Sequence, residues 1–294
     1  MSEFSSKEIT ARLRALGNAA QVFPIGFSAE GTPMLCARFG SGSRRVFISA
    51  AHHGNEWITA LLLLRFAEEY AAARDGARLG GTDASTLRGA ATAYLLPLVD
   101  PDGADIASGA AEGSFPYGNA KRIASRFPDI PFPRGWKANA KGIDLNLQYP
   151  AAWEETRKRK FALGYDKPAP RDYPGNRPVS QPESRALYRF TRRGGFDAVL
   201  ALHTQGEVIY DRFRGYAPPG SEALAAKLSA ASGYPLEATP AESDGGGFKD
   251  WFIAEFDRPG FTVECGSGEN PLPLSDADGI YRRLLPLLTA FILG

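Results

Sequence analysis

Histidine and cysteine are the scarce residues of this chain: three imidazoles and two thiols in 294 residues. Two cysteines, Cys36 and Cys265, cannot make a disulfide framework or a zinc finger, and they fit a reducing, cytoplasmic setting. Net charge is nearly absent too. The formal balance is +1, with 34 basic against 33 acidic residues, so no global field points to nucleic acid or a membrane surface. Long apolar runs are missing. The longest, "ITALLLL", is far too short to span a bilayer. The opening "MSEFSSKEITARLRALG" has no basic stretch followed by an apolar one, so no secretory signal is expected. Internal repeats and low-complexity tracts are not found either. What remains is an ordinary globular composition, 44% hydrophobic, ample for one large core, and the expectation is a single domain over residues 1–294.

Short apolar runs alternate with helical patterns. "TPMLCARFG" and "RRVFISAA" read as strands joined by the turn-like "GSGS". Residues 55–74 read as a helix with Ile58, Leu61, Leu62 and Phe66 on one stripe. "TAYLLPLV" is a buried strand ending in the turn "DPDG", and "FDAVLALHT" and "GFTVECG" are two more buried strands. Continuous apolar strands separated by helices predict an α/β fold, with a mixed, mostly parallel twisted sheet covered by helices on both faces. Residues 101–178 break the pattern, being rich in Gly, Pro and Arg with little periodicity. The embedded "GIDLNLQYP" is too apolar and patterned for disorder, so this stretch reads as a binding-loop region.

Two of the three histidines stand side by side in "AHHGNEW", residues 51–57, where an apolar strand gives way to an apolar helix. Open α/β sheets present the carboxyl ends of their strands to ligands. Four polar groups fall at such ends: His53 with Glu56, Asp144 with Asn146, His203, and Glu264. Two imidazoles and one carboxylate with an open fourth position form a catalytic zinc set. A carboxylate such as Glu264, ending "GFTVE" beside an open metal position, is placed to accept a proton from water. His52 differs from its neighbour. Asn55, not a carboxylate, follows it by three, and strand alternation sends it the opposite way, so it reads as structural. Cys265 alternates away from Glu264 and reads as buried and inert. The basic run "RKRK" at 157–160, preceded by Glu154 and Glu155, reads as a solvated helix face rather than a nucleic-acid patch.

The order His-x-x-Glu, Asp-x-Asn, His and late Glu resembles the zinc metallocarboxypeptidases, and within them the γ-D-glutamyl-diaminopimelate endopeptidase branch. "HGNEW", "GIDLNLQYPA", "ALHTQGEVIY", "GGFKDWFI" and "PGFTVECGSGENPLP" carry the likeness, from about residue 20 to the end. The resemblance implies one zinc ion held by His53, Glu56 and His203. Asp144 would orient a ligand imidazole, and Glu264 would be the general base.

The departures from the digestive members are as informative. Their Asn-Arg pair, which clamps a terminal carboxylate, is Asn146-Leu147 here, and leucine cannot donate. Asn146 remains as a substrate-orienting group. Their carbonyl-polarising Arg falls in the run Trp136-Lys137-Ala138-Asn139, which leaves Lys137 as a point donor. Their capping Tyr has no counterpart in "TPAESDGGGF". The residue before "DW", which lines their specificity pocket, is Lys249, so a cationic pocket floor is expected. A cationic pocket prefers an anionic side chain such as the far carboxylate of diaminopimelate. The resemblance therefore implies a zinc peptidase acting on small cell-wall peptides. Two other readings stay open. One is an ordinary carboxypeptidase or an aspartoacylase-like deacylase, which a substrate panel separates; the other is a ligand-binding homologue without turnover, against which the retained Glu264 argues.

Overall fold

The computed structural model describes residues 4–294. Among the described residues, nine strands run in chain order: β1 (Gln21–Phe27), β2 (Pro33–Phe39), β3 (Arg44–Ala50), β4 (Arg78–Leu79), β5 (Thr82–Asp83), β6 (Ala91–Leu96), β7 (Ala198–His203), β8 (Val208–Tyr210) and β9 (Gly260–Glu264). Seven form one sheet in the order β1-β2-β6-β3-β7-β9-β8, while β4 and β5 make a small hairpin. The central four strands, β6-β3-β7-β9, are parallel; the flanking pairs are antiparallel. The mixed, mostly parallel sheet expected from the apolar runs is therefore present. The edge strands β1 and β8 are the ones the pattern did not announce. β1 is half solvated, with Pro24 and a register shift inside it, and β8 is three residues long. Neither carries the continuous apolar run of a central strand.

The helices divide between the two faces, and strand alternation shows how. On β3, Val46, Ile48 and Ala50 join one core while Phe47 joins the other. On β7, Leu200 and Leu202 take the first side, Val199 and Ala201 the second. The first core is covered by α1 (Ser6–Arg14), α2 (Ile58–Ala72), α3 (Ala84–Ala90) and α4 (Pro101–Ala107), with α5 (Phe115–Ala124) beside them. On the second side, α6 (Trp153–Ala162) borders the site and α7 (Pro182–Gly194) packs through Leu187. The chain then returns to the first face with α8 (Ser221–Ser232), crosses again for α9 (Phe248–Phe256), and closes with α10 (Ala277–Leu293). Phe248, Trp251 and Phe252 of α9 fill the second core; Leu284, Leu287 and Phe291 of α10 fill the first.

Three local expectations change. The helix read over 55–74 begins only at Ile58, after a 3₁₀ turn over Gly54–Glu56 that aims His53 and Glu56 at one point. "DPDG" is not a turn but the start of α4: Asp100 caps it, accepting from the Gly103 N–H, and Pro101 takes the first-turn position where its missing donor costs nothing. Residues 101–178 are not one long loop, since α4, α5 and α6 lie within them.

The basic run on α6 is also corrected. Lys158 alone is exposed; Lys160 is buried, its ammonium 2.5 Å from Asp172 Oδ1, and Arg159 donates to the Asp244 carbonyl. Among the described residues, no helix is long and apolar enough to cross a membrane. Cys36 and Cys265 are both free and buried, and Cys265 lies in the core as alternation requires.

Candidate active site

The parallel strands deliver the site to one edge of the sheet. β3 ends at Ala50, and Ala51, with a positive φ of 50°, turns the chain out of the sheet. Thr59 Oγ1 ties this turn down, accepting from the Ala51 N–H and donating to the Glu56 carbonyl. His53 follows in extended conformation before the 3₁₀ turn that carries Glu56. His203 is the last residue of β7, and Glu264 is its register partner at the end of β9.

His53, Glu56 and His203 converge. His53 Nδ1 lies 2.8 Å from Glu56 Oε1, His203 Nδ1 lies 2.8 Å from Glu56 Oε2, and the two Nδ1 atoms are 3.2 Å apart. Zinc at about 2.0–2.1 Å from each nitrogen, in tetrahedral geometry, sets neighbouring donors about 3.3–3.4 Å apart. The 3.2 Å between the two imidazole nitrogens is close to that, the two contacts to Glu56 are shorter, and the donor set of two imidazoles and a carboxylate is one that zinc takes. This trio is the one group of three or more His, Cys, Asp or Glu ligand atoms close enough to hold a metal among the described residues. All three side chains are buried. Burial opposes a charged His53, yet Glu56 and Asp144 outweigh it and push the imidazole pKa up to about 9. The pocket thus calls for positive charge, which a divalent cation supplies in place of the proton.

Asp144 stands behind His53, its Oδ1 3.2 Å from Nε2. It also accepts from the backbone N–H groups of Asn146 and Asp172. Burial works against its charge, but His53 first, then Lys137 and Lys160, hold its carboxyl well below the usual range. His52 points away from the trio. Its ring lies 5.4 Å from that of His203, nearly parallel, and neither ring nitrogen has a hydrogen-bond partner among the described residues.

Lys137 reaches the same point from the irregular stretch after α5. Its Nζ lies 3.5 Å from Glu56 Oε1. Burial works against its charge, but Glu56 and then Asp144 more than offset that, so its pKa is raised. Its backbone is gripped on both sides: the carbonyl accepts from the Gly54 N–H, and the N–H donates to Pro170. Glu264 is half-buried, and burial first, then the Glu56 charge, push its carboxyl up to about 8; Lys137 and His53 pull the other way. A nearby metal cation would pull in that same direction.

Two cavities meet at Lys137 and Glu264. The first, about 160 Å³, is walled by the two zinc-set histidines, Asn146, Leu147 and the Lys249 end of α9. The Asn146 side-chain oxygen accepts from the Phe248 N–H. Leu147 lines the cavity without offering a donor. Lys249 is buried and lines the cavity, but it is not the free cation expected from its position. Its Nζ forms a close ion pair with Asp250 Oδ1 at 2.6 Å, and donates to the Arg212 carbonyl at 2.5 Å. The charge is balanced on the spot by the next residue, so the floor is an ion pair rather than a cation. The second cavity, about 490 Å³, is lined by Asn55, Arg171, Thr204, Gln205 and Asn270.

Sequence reasoning missed Tyr210, Lys160, Asp172, Arg171 and Asp250, all at cavity walls. Asp250 was adjacent to Lys249 in plain view. Lys160 lies on α6 inside a run of basic residues, Tyr210 ends the short edge strand β8, and Arg171 and Asp172 sit in irregular chain, where no periodicity marks an inward side chain.

Comparison with known proteins agrees with this geometry. The family described as zinc carboxypeptidase matches residues 8–282. Gamma-D-glutamyl-L-diamino acid endopeptidase 1 of Lysinibacillus sphaericus is 40% identical over 268 residues, covering 91% of this chain and 66% of that protein. The chain thus spans just under two thirds of that relative's length. Among solved structures, bovine thrombin-activatable fibrinolysis inhibitor superposes with a TM-score of 0.72 at 18% identity, covering 98% of this chain and 96% of the other. Murein-tripeptide amidase MpaA from Escherichia coli O157 gives 0.58 at 21% identity, covering 92% and 91%.

Proposed function

The chain belongs to the zinc carboxypeptidase family, and on that premise we propose that it hydrolyses the amide between a γ-linked glutamate and a diamino acid in small cell-wall peptides. The observation that carries the reading is the meeting of the His53–Glu56–His203 trio with Glu264 above a cavity whose floor is ionic and whose Asn146-Leu147 wall lacks the carboxylate clamp. The L. sphaericus relative, named for γ-D-glutamyl-L-diamino acid cleavage, supports the choice of bond.

Bound zinc would supply a Lewis acid that polarises the scissile carbonyl and makes water a better nucleophile at neutral pH. Glu264 accepts the proton from the attacking water and passes it to the leaving amine. Lys137 sets a positive charge where the oxyanion develops, a task its place beside Glu56 suits. Asp144 fixes the orientation of His53. Asn146 orients the substrate through the amide nitrogen left over after its oxygen is taken by Phe248. Residues 1–294 act as a single catalytic domain in this reading. Two buried, unpaired cysteines suit the cytoplasm, where imported wall fragments would be the substrate; cell fractionation tests that placement.

The test is a substrate panel on purified, zinc-loaded protein: a γ-D-glutamyl-diaminopimelate tripeptide, its lysine analogue, a dipeptide with a hydrophobic C-terminus, and an N-acyl amino acid. The tripeptide is expected to be cleaved best. Glu264→Gln should lower kcat by ~10²–10⁴ with zinc retained. Preference for the hydrophobic dipeptide would make this an ordinary carboxypeptidase. Survival of activity within a few-fold in Glu264→Gln would remove Glu264 as the base.

A further inference from the structure

The second cavity shares Lys137 and Glu264 with the first but none of the Lys249 end, so the scissile bond lies where the two meet. On the hydrolase reading above, the leaving diamino acid fills the first cavity, whose ionic floor suits its charged far end, and the acyl part of the substrate fills the second. A γ-linked glutamate carries a free α-carboxylate four bonds from the carbonyl under attack. An α-linked residue places an anion at that distance only when it is itself glutamate; every other α-linked residue lacks it.

Arg171 lines this cavity, with 44% of its side chain exposed. Its Nε is held 2.7 Å from Asp172 Oδ2, and the other Asp172 oxygen is held by buried Lys160 at 2.5 Å. The guanidinium is therefore anchored along one edge. Among the described residues, its terminal nitrogens make no hydrogen bond. A planar fork fixed at one end, with two parallel donors left over, matches a carboxylate. Lys137 is committed to Glu56 and to the developing oxyanion, so it is not the anchor. Two exposed acids, Asp129 and Glu269, also line the cavity, so its charge is mixed and the anion must sit at Arg171 itself.

We propose that Arg171 binds the α-carboxylate of the γ-linked acyl residue, and so selects substrates whose acyl side is anionic. The inference rests on the hydrolase reading above and adds a specificity residue to it. Two tripeptides test it: one with the free α-carboxylate on the γ-linked glutamate, one with that group converted to the carboxamide. Wild type should favour the acid by about tenfold in kcat/KM, the scale of a partly solvated pair. Arg171→Gln should bring the two within about twofold, as expected once the charge is gone, with the loss falling mainly on the acid. An equal loss on both peptides would make Arg171 a structural residue and overturn the proposal, as would an unchanged ratio in the variant. Wild type that cleaves neither peptide but does cleave others on the panel would remove the proposed function, and this inference with it.

Discussion

The Nδ1 atoms of His53 and His203 stand 3.2 Å apart, and each has one oxygen of Glu56 at 2.8 Å. Donor atoms of three side chains turned to one point at these distances suit a shared cation. The arrangement is the imprint of an ion with short bonds and a small coordination number.

From this follows a sharp contrast between neighbours. His53→Ala and His203→Ala should each reduce zinc to well below one per chain, measured by elemental analysis. His52→Ala should keep its zinc but lose stability, by about 2–4 kcal/mol, because it empties a buried site. The lost ring packs against His203, Tyr149 and Phe248. Zinc loss from His52→Ala equal to that of His53→Ala would make His52 a ligand instead.

Gly54 sets where Lys137 can stand. A Cβ at Gly54 would lie 2.5 Å from the Gly103 carbonyl oxygen and 2.9 Å from that of Trp136, both backbone atoms that cannot swing aside. Its N–H also holds the Lys137 carbonyl. Gly54→Ala should therefore move the metal turn and Lys137 apart and cost about 10²-fold in kcat, the scale of a 1 Å misplacement. Gly89 in α3 has open space around it, and Gly89→Ala should be neutral or stabilising by about 0.5–1 kcal/mol. Similar kinetics for the two variants would show that the close approach is not what positions Lys137.

The sequence carried the catalytic strands and their terminal groups because the two signals coincide there: an apolar run marks a buried parallel strand, and a polar residue at its end marks the ligand edge. His203 and Glu264 are legible for that reason. Arg171 and Asp172 lie in irregular chain, where direction is set by tertiary contacts alone. Lys160 was misread because charge runs are usually solvated; only Asp172, twelve residues on, reveals that this one turns inward. Lys249 was placed at the right wall, but its charge was not, since pairing with Asp250 depends on rotamers that spacing does not specify.

Glu183 gives the fold a pH dependence remote from the metal. It is fully buried, accepting from the Ala29 N–H and the Asn139 side chain. Burial pushes its carboxyl up to about 7, with Asp102 adding repulsion, from an ordinary value of 4.5. The folded protein therefore holds a proton that the unfolded chain releases near 4.5. The stability this provides is complete below that pH and is lost as pH rises through about 7. Glu183→Gln keeps the shape without titrating, so its stability relative to wild type should rise between pH 5 and pH 8, by up to about 3 kcal/mol. Denaturant unfolding of both proteins at the two pH values measures it. A constant difference would mean that Glu183 is ionised throughout.

The last prediction concerns the ion pair at the floor of the first cavity. The far end of diaminopimelate is a zwitterion, with an ammonium and a carboxylate on one carbon. Lys249 and Asp250, 2.6 Å apart and both buried, present the complementary charges side by side. Lysine at the same position offers the ammonium but leaves Lys249 with nothing to gain. Wild type should therefore favour the diaminopimelate tripeptide over its lysine analogue by about tenfold or more in kcat/KM. Lys249→Met alone is a poor test, because it strands Asp250 in the interior at a cost of about 3–5 kcal/mol. The double variant Lys249→Met/Asp250→Leu removes both charges, and such replacements of a buried pair by apolar groups are often neutral. It should melt close to wild type and cleave the two tripeptides at nearly equal rates. A folded double variant that keeps the full preference would show that the pair is structural and that the diamino acid is recognised elsewhere in the cavity.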